Sequence, residues 1–118
     1  MEITNARLIL PDSIQNGSLS IRNGRIQKIS KNPKPAAKTK GERVDLRGGF
    51  LAPGFVDIHI HGALGRDTME ANLEAFRTIT EYHLKGETTS LTLTTLSASQ
   101  KDILKTLKAI KPVHNKSI

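Results

Sequence analysis

The chain has 118 residues, a formal net charge of +7 and 36% hydrophobic residues, a soluble globular balance. That length suits one ordinary domain but not a complete (β/α)₈ barrel, which takes about 250 residues. With no cysteine, no apolar run near the roughly 18 residues that span a membrane, and no signal-peptide pattern at Met1-Glu2-Ile3-Thr4, the composition excludes disulfides and thiolate metal sites and points to a cytoplasmic protein.

Taken in order, the first half reads as short extended segments. Ala6 to Leu10 is apolar, Ser18 to Arg22 alternates Leu19 and Ile21 with polar neighbours, and Arg25 to Ser30 places Ile26 and Ile29 in a third run. Asn23-Gly24 predicts a two-residue hairpin turn, because both residues accept positive φ; Asn16-Gly17 predicts another turn. Residues Lys31 to Glu42 form a loop rich in Lys, Pro and Ala. Val44 to Leu46 resumes an extended path, and Gly48-Gly49 turns it. An antiparallel meander is the expected outcome.

Lys31, Lys34, Lys38, Lys40 and Arg43 concentrate much of the charge in that loop stretch. They follow no single amphipathic face, and no aromatic residues are interleaved to stack on bases. A solvated basic loop is therefore expected, with no nucleic-acid and no membrane partner. A mildly basic surface also suits a phosphorylated metabolite, but charge alone does not identify one.

The pattern changes at Pro53-Gly54. Phe55 to His61 reads as a strand of buried type through Phe55, Val56, Ile58 and Ile60, and Gly62 and Gly65 open a loop. From about Ala71 to Lys85 the spacing of Leu73, Phe76, Ile79 and Tyr82 or His83 predicts a helix, with Gly86 as its C-terminal cap and Asp67 and Glu70 at its start. Thr88 to Thr95 is a second strand. Ser97 with Gln100, or Ser99 with Asp102, caps a second helix whose stripe is Ile103, Leu104, Leu107 and Ile110, and Pro112 stops it. The order strand, helix, strand, helix implies parallel strands with crossover helices. The expected fold class is α/β, with a β-unit over 1–52 leading into an α/β unit over 53–118.

The residues with chemistry are His59 and His61. At i and i+2 of a strand they point to one side, so their imidazoles can converge on one metal ion. They lie at the strand's C-terminal end, where parallel α/β folds carry their sites. A bare His-x-His is a weak signal; the buried-type strand, the upstream Pro-Gly and the following Gly62 strengthen it. Asp57 shares the face, either orienting a histidine or serving as a structural hydrogen-bonding residue. His83 reads as a helix-borne, partly buried or surface residue, and His114 as a surface residue. Ser97 and Ser99 have no triad partner. The glycines form neither a P-loop nor a Rossmann pattern.

The stretch Leu51-Ala52-Pro53-Gly54-Phe55-Val56-Asp57-Ile58-His59-Ile60-His61-Gly62 resembles the first barrel strand of the amidohydrolase superfamily. Gly65-Arg66-Asp67-Thr68-Met69-Glu70-Ala71 and Gly86-Glu87-Thr88-Thr89-Ser90-Leu91-Thr92-Leu93-Thr94-Thr95-Leu96 resemble the N-acetylglucosamine-6-phosphate deacetylases within it. Ile21-Arg22-Asn23-Gly24-Arg25-Ile26 is similar to the superfamily's N-terminal β-unit. The resemblance implies a β-sandwich built from both chain ends, attached to a metal-containing (β/α)₈ barrel. This chain would supply an N-terminal half of the sandwich and the first two βα units of an incomplete TIM barrel.

It further implies an enzyme of amino-sugar metabolism that hydrolyses the acetamide of N-acetylglucosamine 6-phosphate to glucosamine 6-phosphate and acetate. The small-molecule partner would be that amino-sugar phosphate. The cofactor would be one or two divalent ions of zinc or iron type, with His59 and His61 as metal ligands. Some members replace this pair and bind a single metal elsewhere. The full-length family can form homo-oligomers.

The departure is downstream. The family's bridging Glu, in a His-x-Glu-Gly-Pro segment, its further histidines and its catalytic Asp have no counterpart here. No catalytic residue is expected within this chain, and its substrate-binding residues are unassigned. Two histidines are too few for a tight catalytic zinc site, which has three protein ligands. A fragment with weak or absent metal binding and no activity alone is the expectation. The alternatives are a cyclic-amide hydrolase of dihydroorotase or hydantoinase type, and a non-enzymatic module completed by a partner chain.

Overall fold

Alternation of apolar and polar side chains sets up β1 (Glu2–Leu10), whose Thr4, Ala6 and Leu8 are buried in the computed structural model. The structure describes residues 1–31 and 41–113. It divides the chain into two compact units, Met1–Pro53 and Gly54–Ile118.

In the first unit β1 is joined by β2 (Ser13–Arg22), β3 (Arg25–Lys31), β4 (Arg43–Asp45) and β5 (Phe50–Leu51) in a five-stranded sheet of order β3-β2-β1-β4, with β5 also on β1. The β2–β3 hairpin forms at Asn23 (φ 53°) and Gly24 (φ 69°), both left-handed as the turn requires. A meander describes only β1 to β3. Both β4 and β5 run parallel to β1, because β2 already fills one of its edges and the returning chain enters the other in the same direction.

Asn16-Gly17 makes no turn. Gly17 pairs with Ala6 inside the β1–β2 ladder, and a Cβ there would overlap the Leu8 side chain and lie 2.9 Å from the Ser30 carbonyl oxygen. The glycine serves close packing, and the turn falls at Pro11-Asp12 instead. A bulge between Ile3 and Ala6 is made by left-handed Asn5 (φ 51°). The register opposes Ile3 to both Leu19 and Val44, and Leu19 to Ile29, so these share one apolar face. That face is closed at Ala6 and Leu8 but open at Ile26 and Ile29.

The second unit holds β6 (Phe55–Ile60), a small antiparallel pair β7 (Gly62–Ala63) and β8 (Arg66–Asp67), α1 (Leu73–Lys85), β9 (Thr88–Leu93) and α2 (Gln100–Ile110). β6 and β9 pair in parallel, the arrangement implied by the strand-helix order. Helix α1 buries Ala75, Phe76 and Ile79. Its cap is Asn72, which accepts from the Ala75 amide at 2.9 Å. Asp67 and Glu70 do form a capping box, but on a separate 3₁₀ turn, Thr68–Glu70, which left-handed Ala71 ends before α1 begins.

Gly86 caps α1 through its amide, bonded to the His83 carbonyl, yet its own φ is −92°. The left-handed residue is Glu87 (φ 66°), one position later. Ser99 caps α2, accepting from the Asp102 amide at 3.2 Å and donating to the Asp102 carboxylate at 2.6 Å. The helix stops at Ile110, and Pro112 sits in the 3₁₀ turn Lys111–Val113 that follows.

Strand β6 is not of buried type. Phe55, Val56 and Ile58 are 65%, 68% and 76% exposed, and only Ile60, at 4%, is enclosed. Among the described residues β9 is its sole ladder partner, so one edge is bare and its apolar side chains lack a covering layer. On α2, Thr106 is buried while Leu104 and Leu107 of the expected stripe are about half exposed. Most of the basic loop, from 32 to 40, and His114 lie outside the described residues. No described helix is long and apolar enough to cross a membrane.

Candidate metal centre

The site forms where β6 ends. His59 is the penultimate residue of that strand and His61 follows it directly. The two-residue spacing brings their rings together nearly at right angles (86°), with centroids 4.7 Å apart. The two Nε2 atoms are 2.9 Å apart. His59 is exposed and His61 is half-buried, so the converging nitrogens are accessible.

The His61 ring has a second anchor. Its Nδ1 lies 3.2 Å from the carbonyl oxygen of Thr94, just beyond β9. A carbonyl only accepts, so this contact puts a hydrogen on Nδ1, and in the neutral ring Nε2 then keeps its lone pair, the tautomer that binds a metal. Asp57 contacts the backbone rather than a ring: its Oδ1 accepts from the His59 amide at 3.0 Å. That bond fixes the strand path between the two residues. The β7–β8 loop is tied on by the Thr68 amide, which donates to the His61 carbonyl at 2.8 Å. Gly62 is required in this loop, because a Cβ would overlap the Arg66 carbonyl oxygen. Arg66 braces the segment through Glu70 at 3.2 Å and Glu74 at 3.7 Å.

The donor set fits part of a metal shell. With metal–nitrogen distances of about 2.0–2.1 Å, nitrogens 2.9 Å apart subtend about 90° at a shared ion. That angle suits adjacent positions of a five- or six-coordinate ion. A tetrahedral ion needs the rings to part by a few tenths of an ångström. Among the described residues no group of three or more His, Cys, Asp or Glu side chains comes together, so the pair is not a complete site. His83 lies in α1, its ring stacked edge-on against Tyr82 with centroids 5.4 Å apart, and does not join the pair. Thr94 is the site residue that sequence reasoning missed; one threonine in the Thr-rich run from Thr88 to Thr95 carries no distinguishing signal.

No family model matches the chain. It is 34% identical over 96 residues to the N-acetylglucosamine-6-phosphate deacetylase of Bacillus subtilis, an alignment covering 80% of this chain and 24% of that protein. It is 30% identical over 77 residues to a dihydroorotase of Staphylococcus epidermidis, covering 62% of this chain and 18% of the relative. In structure it is similar to the N-acetylglucosamine-6-phosphate deacetylase of Pasteurella multocida, with a TM-score of 0.83 at 20% identity, covering 98% of this chain and 32% of that one. The structural likeness shows a shared mixed α/β fold. The chain spans about a quarter of the length of the Bacillus subtilis relative. The resemblance to the deacetylases, read from Gly65 to Ala71 and from Gly86 to Leu96, is therefore borne out over that share, and the relatives are enzymes.

Proposed function

We propose that the chain contributes the first metal-ligand pair of an amide hydrolase acting on N-acetylglucosamine 6-phosphate, and that it does not turn over this substrate alone. The observation that carries the reading is the convergence of the His59 and His61 Nε2 atoms at 2.9 Å, with the His61 tautomer set by the Thr94 carbonyl. A divalent ion bound there supplies polarisation of the amide carbonyl and activation of a water. The chain's own residues hold and orient: both imidazoles donate through Nε2, Asp57 fixes the backbone at His59, and Thr94 fixes the His61 ring. No acid or base for the proton transfers is assigned within this chain. The proposed inactivity rests on the ligand count among the described residues, two where a catalytic zinc site has three.

The same reading accounts for the open surfaces. Residues 1–52 serve as half of a composite β-sandwich, which explains the uncovered ends of the apolar sheet face. Residues 53–118 serve as the first two βα units of a metal-dependent barrel, which explains the bare edge of β6 and its exposed Phe55, Val56 and Ile58. The likeness to a dihydroorotase supports a second reading, hydrolysis of a cyclic amide through the same pair.

A chimera separates them. This chain replaces the matching quarter of the Bacillus subtilis deacetylase, and acetate release from N-acetylglucosamine 6-phosphate is measured beside ring opening of dihydroorotate. Deacetylation lost on changing His59 and His61 to Ala is expected, with no steady acetate release by the isolated chain. Steady release by the isolated chain, dependent on the two histidines, would overturn its proposed inactivity. A folded chimera indifferent to the pair would overturn the site.

A further inference from the structure

We propose that Thr94 is a positioning residue whose hydroxyl and carbonyl together decide which nitrogen His61 presents to a metal. This rests on reading His59 and His61 as a ligand pair. Regular pairing between β6 and β9 ends at Ile60 opposite Leu93, and Thr94 takes over one residue later. Its amide donates to the Ile60 carbonyl at 2.8 Å. Its Oγ1 accepts from the Ile60 amide at 3.1 Å and donates to the Thr92 carbonyl at 3.2 Å. Both backbone groups of Ile60, the residue between the two histidines, thus end on Thr94. The Thr94 carbonyl then takes the His61 Nδ1 hydrogen at 3.2 Å.

The hydroxyl is the part of this clamp a side chain can change. It is held at both ends, so the carbonyl beside it has a fixed direction. Without it the Ile60 amide, on a residue only 4% exposed, loses its acceptor and the strand end must shift to find another. The shift reaches the His61 ring through one peptide. When the anchoring bond on a ligand's far nitrogen is lost, metal affinity typically falls 10–100-fold. Valine reproduces the shape of threonine without the hydroxyl, and serine keeps the hydroxyl without the methyl, so the two substitutions separate hydrogen bonding from packing.

The test uses the full chain, T94V and T94S in mildly alkaline buffer. Long-range proton–nitrogen spectra of the imidazoles read the tautomer, and a Co²⁺ titration is followed by broadening of the assigned His59 and His61 ring signals. The parent should show hydrogen on His61 Nδ1. T94V should show a mixed tautomer and a Co²⁺ response weakened about tenfold or more, and T94S should restore both. A folded T94V with the parent's tautomer and Co²⁺ response overturns the proposal. If T94V does not fold, the parent decides: hydrogen on His61 Nε2 there is equally fatal. The double variant H59A/H61A is the control for the ligand pair. Should the parent bind Co²⁺ no better than that variant, the ligand reading fails by itself, and the tautomer comparison still judges Thr94.

Discussion

Changing Phe76 to Ala probes where the second unit keeps its core. Phe76 is 1% exposed on α1, beside Ala75 and Ile79. A phenylalanine buries roughly 150 Å² or more, which at about 25 cal/mol per Å² contributes about 4 kcal/mol. Alanine retains roughly 1 kcal/mol of this, and incomplete collapse of the cavity adds back to the loss, so the cost is about 3–5 kcal/mol. A unit of this size holds about 3–10 kcal/mol in total, at roughly 0.05–0.15 kcal/mol per residue.

Phe55 supplies the internal comparison. At 65% exposed it withholds only about a third of the same area from water, and Phe55→Ala should cost about 1 kcal/mol. Urea unfolding, followed by the amide signals of α1 and β9, measures both. F76A should leave the unit largely unfolded without denaturant, or shift its midpoint far down, while F55A should stay close to the parent. Equal losses would refute the reasoning, because they would mean that β6 is as well enclosed as α1.

Two further outcomes follow from the first unit. Asp45 accepts from the Arg47 amide and from the Asn5 side chain, both at 2.9 Å, and these bonds hold its carboxyl below the usual carboxylate range, with help from the Arg43 and Arg47 charges. A pKa lowered by folding means that the native state binds fewer protons than the unfolded state. The stabilisation is therefore complete above the unfolded value of about 3.9 and disappears as pH falls through the lower native one. The gap in urea midpoint between the parent and Asp45→Asn should close over that acid range; a gap independent of pH would contradict the assignment. Gly17→Ala should destabilise by about 1–3 kcal/mol through overlap with Leu8. Thermal melting beside Asn16→Ala checks that the cost belongs to the glycine.

The sequence made some of this legible and not the rest, for physical reasons. Local signals sufficed for the Asn23-Gly24 hairpin and the i, i+2 convergence of His59 and His61, because each is decided within a few residues, and they narrowed the α2 cap to Ser97 or Ser99, of which the structure uses Ser99. Gly17 looked like a turn residue because its true constraint, the Leu8 side chain, comes from a neighbouring strand. Asp67 and Glu70 have the chemistry of a helix start, and the structure uses it on a 3₁₀ turn; nothing nearby shows that Ala71 will turn left-handed and hand the helix to Asn72. The apolar run Phe55 to Ile60 looked like a buried strand because composition is local, whereas burial is decided by what packs on the strand, and only Ile60 is enclosed. Thr94 acts across 33 residues on His61, a separation no local pattern reports.

The parallel docking of β4 and β5 has a consequence for how β1 acquires its neighbours. β1 leaves the ribosome before the other strands of its sheet, and β2 can close on it as soon as the short Pro11-Asp12 turn is made. Its other edge must wait for residues 43–51, about forty positions later, as in the Thr4–Val44 contact. Such non-local closure is slow compared with a hairpin, so the nascent unit passes through a stage with one strand edge unsatisfied. A straight edge at that stage would be a template for another copy of the chain. The Asn5 bulge breaks the line of that edge at its middle, between the segments that β4 and β5 later occupy. The irregularity that divides the docking of two short strands in the finished sheet also makes the waiting edge a poor surface for aggregation.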